Sequence, residues 1–207
     1  MKKKILILSG PTHEYIDPVR FIGNASSGKM GCALANEAVQ RGFDVDFITG
    51  PVERENLPTL SHIYPVISAN EMLTQARSLF DSADVIIFVA AISDYMPKKK
   101  QPEKIAKSTE DLFLHLQPTP DISKTLSTQK RNDQITIGFA LQTDHPEENA
   151  KRKLQEKKLN GIILNTPDSL GSDSGTFSYL SATSTGFEKW GLLTKQSCAQ
   201  HILNLVS

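Results

Sequence analysis

Cysteine is scarce in this sequence, and its scarcity excludes two kinds of stabilisation. Only Cys32 and Cys198 occur among 207 residues, and they lie far apart. Small secreted domains need several disulfide pairs, and structural zinc sites need cysteines and histidines at short spacing. We therefore interpret both thiols as structural and expect a reducing compartment, the cytoplasm.

An excess of charge of one sign is also missing. The sequence has 23 Lys and Arg against 23 Asp and Glu, so its formal net charge at pH 7 is +0. Proteins that bind nucleic acid or an anionic membrane over a broad face usually carry a basic excess. The balance therefore predicts neither partner, and only local basic clusters need to be considered.

Long hydrophobic runs are absent as well. The first apolar run is residues 5–8, and a glycine and a proline follow at residues 10–11. A signal peptide needs about 7–15 apolar residues and a membrane-spanning helix about 20. We expect neither feature, and the length and the 39% hydrophobic content suit one domain over residues 1–207.

Short apolar runs alternate with amphipathic segments along the whole chain. Apolar or alternating runs predict strands at residues 5–8, 45–48, 62–66, 85–89, 111–116, 134–140 and 161–164, and a hairpin at residues 177–180 and 186–190. Helical patterns lie at residues 29–41, 69–80 with Ser68 as N-cap, 121–127, 146–158 and 194–206. This alternation predicts an α/β fold, a Rossmann-like doubly wound and mostly parallel sheet with helices on both faces. Ligands of such sheets bind beyond the carboxyl ends of the strands.

The string GNASSGKMG at residues 23–31 precedes the first predicted helix. A turn rich in glycine and serine exposes backbone N–H groups at the positive end of a helix, which suits a phosphate or a carboxylate. The string almost matches a Walker A loop, but Met30 replaces the hydroxyl residue, and the first strand ends far upstream, near residue 9. It therefore predicts a phosphate-binding loop of another kind, with Ser26, Ser27, Gly28 and Lys29 as candidates.

Three further polar residues each allow two interpretations. Asn24 suits a turn, but its amide could also stabilise a polar reacting centre. Asp94, in the string AAISDY after a strand, suits a loop acceptor but could also reach a ribose hydroxyl or a metal ion. Arg20 could contact a phosphate, although an ion pair with Asp17 is the preferred interpretation.

Lysines occur in two local clusters. Lys104 and Lys107 belong to a long polar loop over residues 92–108, and loops of that length are usually functional or mobile. Lys153 and Lys157 are four residues apart and so share one helix face. Such faces are usually solvated, but two lysines at the carboxyl edge of the sheet would bind a polyphosphate.

Together these motifs resemble phosphopantothenoylcysteine synthetase, a ligase family of coenzyme A biosynthesis. The matching strings are GPT at 10–12, IDPVR at 16–20, NxSSGKMG at 24–31, AAxxDY at 90–95, EKIxK at 103–107, PDI at 120–122, GFA at 138–140, the pair Lys153 and Lys157, and Asn165. The resemblance extends from the first strand to about Asp168. Its most specific part is the string at 24–31 followed by the motif at 90–95.

The resemblance implies a ligation in two steps. The carboxylate of 4′-phosphopantothenate attacks the α-phosphate of CTP, pyrophosphate leaves, and cysteine then displaces CMP from the acyl-cytidylate to form an amide. It also implies Mg²⁺ bound mainly through the nucleotide phosphates, with Asp94 as a candidate ligand, and a homodimer. We expect no flavin and a separate decarboxylase, so that this chain is a stand-alone synthetase domain, and the preference for CTP over ATP stays open.

The resemblance also implies roles for individual residues. Asn24 would stabilise the acyl-cytidylate, and Lys104 would contact the triphosphate; these are the predicted catalytic residues. The nucleotide would be bound by Phe88, Val89, Ala90, Asp94, Lys104, Pro120, Asp121, Ile122, Ser123, Phe139, Lys153 and Lys157. The substrate and its phosphate would be bound by Gly10, Thr12, Asn24, Ser26, Ser27, Gly28 and Lys29.

Two departures from the family pattern and two alternative functions remain. Ala106 stands where the family often has lysine, and Gln142 stands where glutamate is common, which bears on nucleotide affinity.

An NAD(P)-dependent reductase would need Gly-x-Gly-x-x-Gly directly after the first strand, where this chain has GPTH. A non-catalytic nucleotide-binding module would not need Asn24 and Lys104 together.

Overall fold

The apolar runs of the sequence form the strands of a single large sheet. The computed structural model describes residues 2–206. In that range the strands are β1 (Lys4–Ser9), β2 (His13–Tyr15), β3 (Phe21–Gly23), β4 (Asp44–Thr49), β5 (Ile63–Pro65), β6 (Val85–Phe88), β7 (Tyr95–Pro97), β8 (Leu116–Pro118), β9 (Ile135–Leu141), β10 (Gly161–Asn165), β11 (Ser174–Ser181) and β12 (Glu188–Thr194). The helices are α1 (Lys29–Gln40), α2 (Ala69–Phe80), α3 (Ile122–Ser127), α4 (Pro146–Glu156) and α5 (Lys195–Asn204).

The order of the strands produces a topological switch point. Eight strands lie side by side in the order β12-β11-β10-β9-β6-β1-β4-β5. The strands from β10 to β5 are parallel, and β11 and β12 are antiparallel to their neighbours. From β1 the chain winds to one side through β4 and β5, and then to the other side through β6, β9 and β10. The predicted Rossmann-like fold is confirmed, and the predicted C-terminal hairpin forms the outer edge of the same sheet.

Burial on both faces explains why the central strands have continuous apolar sequences. Alternate residues of β1 contribute to two separate hydrophobic clusters. Helices α1 and α5 cover one face, where Ile5 and Ile7 pack with Leu34. Helices α2, α3 and α4 cover the other, where Leu6 and Leu8 lie. Parallel strands covered in this way are apolar on both sides. Among residues 2–206, no helix is both long and apolar enough to cross a membrane.

Three helices begin at side chains that cap them. Ser68 accepts a hydrogen bond from the Glu71 N–H at 3.3 Å, as predicted for α2. Asp121 accepts from the N–H of the third residue after it, at 3.0 Å, and Thr194 does the same at the start of α5, at 3.1 Å. These caps satisfy N–H groups that precede the first helical hydrogen bond, and so they fix where α2, α3 and α5 begin.

Helices α1 and α5 are also joined to each other by side-chain hydrogen bonds. The buried carboxylate of Glu37 accepts from Arg41 Nε at 2.7 Å and from Gln196 Nε2 at 2.8 Å. Arg41 in turn donates to Asn204 Oδ1 at 2.7 Å. Cys198 of α5 belongs to the hydrophobic cluster between these helices and the sheet, and burial raises the pKa of its thiol to about 12, which fits the structural role predicted for it.

The strand predicted at residues 111–116 is wrong. Residues 111–115 have no regular structure, and β8 begins only at Leu116 and pairs with β7. The apolar side chains that suggested a strand face solvent instead of the core, and Phe113 is 83% exposed. The hairpin of β2 and β3 was not predicted, because strands of three residues are too short to show a periodicity.

Candidate functional site

A cavity of about 440 Å³ lies at the carboxyl edge of the sheet, beside the switch point. Its walls come from the loop before α1, the segment after β6, the ends of β9 and β10, and the start of α5. A second cavity of about 330 Å³ adjoins it on the side of the turn before α3. Five residues line both cavities: Ala90, Ile92, Asp94, Phe139 and Lys153. The two cavities therefore form one site with two compartments, at the place where sheets of this topology bind ligands.

Most of the predicted site residues line these cavities. Asn24, Ser26, Ser27, Gly28, Lys29 and Val89 line the larger one; Phe88, Pro120, Asp121, Ile122, Ser123 and Lys157 line the smaller one; and Ala90, Asp94, Phe139 and Lys153 line both. The structure thus brings together segments that are far apart in sequence. Gly10, Thr12 and Lys104 do not belong to either lining.

The loop before α1 needs glycine at two positions. Gly28 occupies the N-cap with φ 75°, and a Cβ there would lie 2.7 Å from Val52 Cγ1. A Cβ on Gly31 would lie 1.9 Å from Ser9 Oγ, so α1 packs directly against the end of β1. The first helical hydrogen bond runs from the Cys32 N–H to Gly28. The N–H groups of the residues between them remain at the edge of the larger cavity, in a position suited to a phosphate.

Asn24 connects this loop to the segment after β6. Its Nδ2 donates a hydrogen bond to the Ile92 carbonyl oxygen at 2.9 Å. The contact holds the Asn24 amide at the wall of the larger cavity. The residue that accepts the hydrogen bond, Ile92, lies two positions before Asp94 in the segment after β6. An amide in this place has a structural function as well as access to a ligand, so both interpretations of Asn24 fit its position.

Gly10 and Thr12 lie behind the cavity wall. The Gly10 carbonyl accepts from the Ala91 N–H at 2.9 Å, and Thr12 Oγ1 accepts from the Ser93 N–H at 3.0 Å. Thr12 is fully buried. That these two residues bind substrate stays a prediction; the two hydrogen bonds join them to the 90–93 segment. Their effect on a ligand would therefore act through the position of that segment.

Lys153 lies in the last turn of α4 and Lys157 is the C-cap residue of that helix, and the two occupy different environments. Burial lowers the pKa of Lys153, the nearby Lys157 lowers it further, and Asp94 and Asp121 partly offset both effects. Lys157 Nζ lies 3.1 Å from Asp121 Oδ1 and 3.0 Å from Ser123 Oγ. Two ammonium groups in a partly desolvated place favour a ligand with several negative charges.

Lys104 is exposed and belongs to a segment that is anchored from outside the cavities. Asp17 Oδ2 accepts from the Ile105 N–H at 3.1 Å, and Arg20 Nη1 donates to the Ile105 carbonyl at 3.1 Å. Arg20 also pairs with Asp17 at 2.8 Å, which confirms the predicted ion pair. Asp17 is buried, which would raise its pKa, but three backbone N–H donors and Arg20 outweigh this effect and lower the pKa to about 2.

The sequence did not identify Lys195, Ser169 or Leu141 as lining residues, and it marked Asn165 only as part of a motif. Asn165 ends β10 and donates to Ser169 Oγ at 2.7 Å. Lys195 follows β12 directly. Because β11 reverses the direction of β10 and β12 reverses it again, the carboxyl end of β12 returns to the ligand edge. That topology was the signal that could have identified Lys195.

A metal ion would find few protein ligands here. Across residues 2–206, no group of three or more His, Cys, Asp or Glu side chains is arranged to hold one. Asp94 is the carboxylate that faces both cavities. The site therefore offers the carboxylates of Asp94 and, in the smaller cavity, Asp121, together with several ammonium groups that suit phosphate oxygens.

Known proteins share this fold and much of this sequence. The model of the family described as the DNA/pantothenate metabolism flavoprotein C-terminal domain matches residues 1–207. The chain is 41% identical over 173 residues to the Coenzyme A biosynthesis bifunctional protein CoaBC of Bacillus subtilis (strain 168), which is 84% of this chain and 42% of that protein. It is 35% identical over 207 residues to a Cysteine/Cysteine sulfinic acid decarboxylase from an unknown prokaryotic organism, 99% of this chain and 58% of that protein.

A solved structure is similar over nearly its whole length. The crystal structure of the C-terminal domain of Coenzyme A biosynthesis bifunctional protein CoaBC has a TM-score of 0.83 and 38% identity, covering 99% of this chain and 93% of that one. The chain spans about half the length of the curated relatives it matches, 42% and 58% of the two compared above.

Proposed function

The chain belongs to the DNA/pantothenate metabolism flavoprotein C-terminal domain family, and from this premise we propose that it is a phosphopantothenate–cysteine ligase of coenzyme A biosynthesis. The observation that carries the proposal is the pair of adjoining cavities with Asn24 on one wall and Lys153 between them. A ligase of this kind must hold an acid and a nucleotide side by side. The likeness to a domain of a protein named for coenzyme A biosynthesis supports the same substrates.

The proposed reaction has two displacements. A carboxylate oxygen of 4′-phosphopantothenate attacks the α-phosphorus of CTP, the bond to the β-phosphate oxygen breaks, and pyrophosphate leaves. The cysteine amine then attacks the acyl carbon, the bond to the CMP oxygen breaks, and the amine loses a proton as the amide forms. Since no bond to the protein is needed, the enzyme contributes orientation and charge stabilisation.

The two compartments suit the two reactants. We assign the nucleoside to the smaller cavity, where the turn 120–123 and Phe139 offer backbone edges and an aromatic face. Lys153 and Lys157 would bind its phosphates. The acid arm of phosphopantothenate would reach the shared wall from the larger cavity, beside Asn24. The attacking oxygen and the α-phosphorus would then meet next to Asp94 and Lys153, which line both compartments.

The proposal includes Mg²⁺ and CTP as co-substrate, with ATP as the alternative nucleotide. One carboxylate facing both cavities suits Mg²⁺, which binds through substrate phosphates and one or two carboxylates. Asp94 would hold it, and the ion would neutralise triphosphate charge. Because the reaction includes no net oxidation or reduction, it needs no flavin. We also propose that residues 1–207 act as one synthetase domain in the cytoplasm.

We propose a homodimer as the active form. Leu112, Phe113, Leu114 and Leu116 expose between 40% and 83% of their surface, and they follow each other in sequence. Contiguous exposed apolar surface of this kind usually marks an interface. Lys104 lies in the neighbouring segment and outside both cavities of its own chain. A second copy packed on residues 112–116 would cover this segment, and ordering of the segment would bring Lys104 to a triphosphate.

A pyrophosphate-release assay tests the ligase. Purified protein with CTP, Mg²⁺ and cysteine should release pyrophosphate only when 4′-phosphopantothenate is added, because the acid is the nucleophile. A parallel reaction with ATP measures the nucleotide preference. Absence of release with every nucleotide would contradict the proposal. Nucleotide binding without release would favour the non-catalytic module, and oxidation of NAD(P)H would favour the reductase.

A further inference from the structure

Two lysines reach the larger cavity from the starts of two different helices. Lys29 is the first residue of α1, Lys195 is the first residue of α5, and both line the cavity. Asp173 links them. Its Oδ1 lies 2.7 Å from Lys29 Nζ, and its backbone carbonyl accepts a hydrogen bond from the Lys195 N–H at 2.9 Å. Neither lysine lines the smaller cavity.

The charges of this cluster are only partly balanced. Burial lowers the pKa of Lys195, and Lys29 lowers it further, while Asp173 acts in the opposite direction. The hydrogen bond and the charge of Lys29 lower the pKa of Asp173. Two ammonium groups therefore share one carboxylate. Their mutual repulsion in a partly desolvated place would be relieved by an anion with more charge than Asp173 carries.

The ion pair between Lys29 and Asp173 is easy to displace. The Asp173 side chain is 87% exposed, whereas that of Lys29 is 31% exposed. Exposed ion pairs contribute little because water and salt screen them. Lys29 also donates to the Gly171 carbonyl at 3.3 Å, so the pair holds residues 170–173 against the loop before α1. Leu170 and Gly171 themselves line the cavity.

We propose that Lys29 and Lys195 form a second phosphate-binding site, separate from the pair Lys153 and Lys157, and that Asp173 pairs with Lys29 until the ligand replaces it. The ligand is a phosphate monoester or a polyphosphate that carries at least two negative charges. The inference rests on the proposed function, in which two groups have this chemistry. They are the β- and γ-phosphates of the nucleotide and the 4′-phosphate of phosphopantothenate.

Calorimetric titration with two probes distinguishes these sources. Pyrophosphate represents the end of the triphosphate, and 4′-phosphopantothenate is compared with pantothenate, which lacks the phosphate. We expect Lys195→Gln to weaken binding of one probe by about tenfold, the effect of one charge-assisted hydrogen bond, and to leave the other unchanged. Asp173→Asn should tighten binding of the same probe by about threefold, since its competitor for Lys29 loses its charge.

The two substitutions are expected to change the affinity for one probe in opposite directions, and this combination identifies the site. If the lysines had a purely structural role, Asp173→Asn would not tighten binding of the probe, because Asp173 would not compete with it. Lys189→Gln is the matched control, because Lys189 is exposed on β12 and lies outside both cavities. We expect its affinities to equal those of the unaltered protein. Thermal unfolding of each variant checks that it is folded, and Asp173→Asn alone still tests the site if Lys195→Gln is unstable.

Several outcomes would overturn the inference. These are unchanged affinity for both probes in Lys195→Gln, weaker binding in Asp173→Asn, or binding of neither probe by the unaltered protein. The titrations need no turnover, so a chain without ligase activity can still bind a probe through Lys195. Conversely, a ligase whose probe affinities are insensitive to Lys195 and Asp173 would disprove the second phosphate site and leave the proposed function standing.

Discussion

Asn24 is the residue at which fold and proposed chemistry meet most directly. Its Nδ2 hydrogen bond to Ile92 joins the loop before α1 to the segment after β6, and the same side chain lines the larger cavity. A primary amide can donate and accept hydrogen bonds in one place. A mixed anhydride needs both as it forms and as it is attacked, because charge moves between its oxygens.

Asn24→Asp should separate the two steps of the reaction. A carboxylate of the same size cannot donate to Ile92, and its negative charge opposes the oxyanion that forms when cysteine attacks. We expect the acyl-cytidylate to accumulate while amide formation slows by about 10²–10³-fold. Rapid quenching and mass spectrometry of the products measure both quantities. Full turnover by the variant would show that Asn24 serves only the turn.

At the scale of elements, the sequence predicted the central strands, whose apolar sequences follow from burial on both faces of the sheet. Strand β6 and residues 5–8 of β1 are apolar without interruption because helices cover both faces, and α2 begins at its predicted Ser68 cap. The ribbon of β7 and β8 was missed because each strand has three residues. Residues 111–116 were misread, since exposed and buried apolar residues have the same alternation. Lys195 was missed because the topology of β11 and β12, not a local motif, carries it to the cavity.

Asp17 connects two segments that are far apart in sequence, the turn after β2 and the segment that contains Lys104. Its pKa of about 2 lies below the ordinary value of 3.8, so between these values the folded state binds fewer protons than the unfolded state. The stabilisation from Asp17 is therefore complete above about pH 4 and is lost as the pH falls through about 2.

Asp17→Asn should accordingly lower the free energy of unfolding at pH 7. The difference between the variant and the unaltered protein should shrink as the pH falls toward 2. Urea unfolding at pH 7, pH 4 and pH 2.5 measures the difference in free energy of unfolding at each pH. Asp111→Asn, at an exposed position, is the control and should show no such convergence. A difference between Asp17→Asn and the unaltered protein that stays constant with pH would contradict the assignment.

At the scale of the whole molecule, the predicted catalytic residue Lys104 lies outside both cavities, whereas Asn24 lines the larger one. The loop before α1, Lys153 and Lys157 all line the cavities. The segment with Lys104 lies beside the exposed residues 112–116. The proposed dimer would thus bury apolar surface and order the predicted catalytic lysine in one event.

Phe113→Asp should therefore shift the protein toward monomer and reduce ligase turnover together, since a charge cannot be buried in an apolar interface. Sedimentation velocity measures the first effect and pyrophosphate release the second. Leu192→Asp serves as control, because Leu192 is also an exposed apolar residue but lies on β12. Monomeric unaltered protein at micromolar concentration would remove the dimer from the proposal.

The hydrogen bonds among Glu37, Arg41, Gln196 and Asn204 have a consequence for ligand length. They fasten α1 and α5 to each other along their sides, so the distance between the first residues of the two helices is set by helix packing and not by loop motion. An anion shorter than that distance can touch one terminus at a time, whereas a longer one can bridge them. The spacing of the two helix starts would then select anions by their length, and this selection would not depend on which base the nucleotide carries.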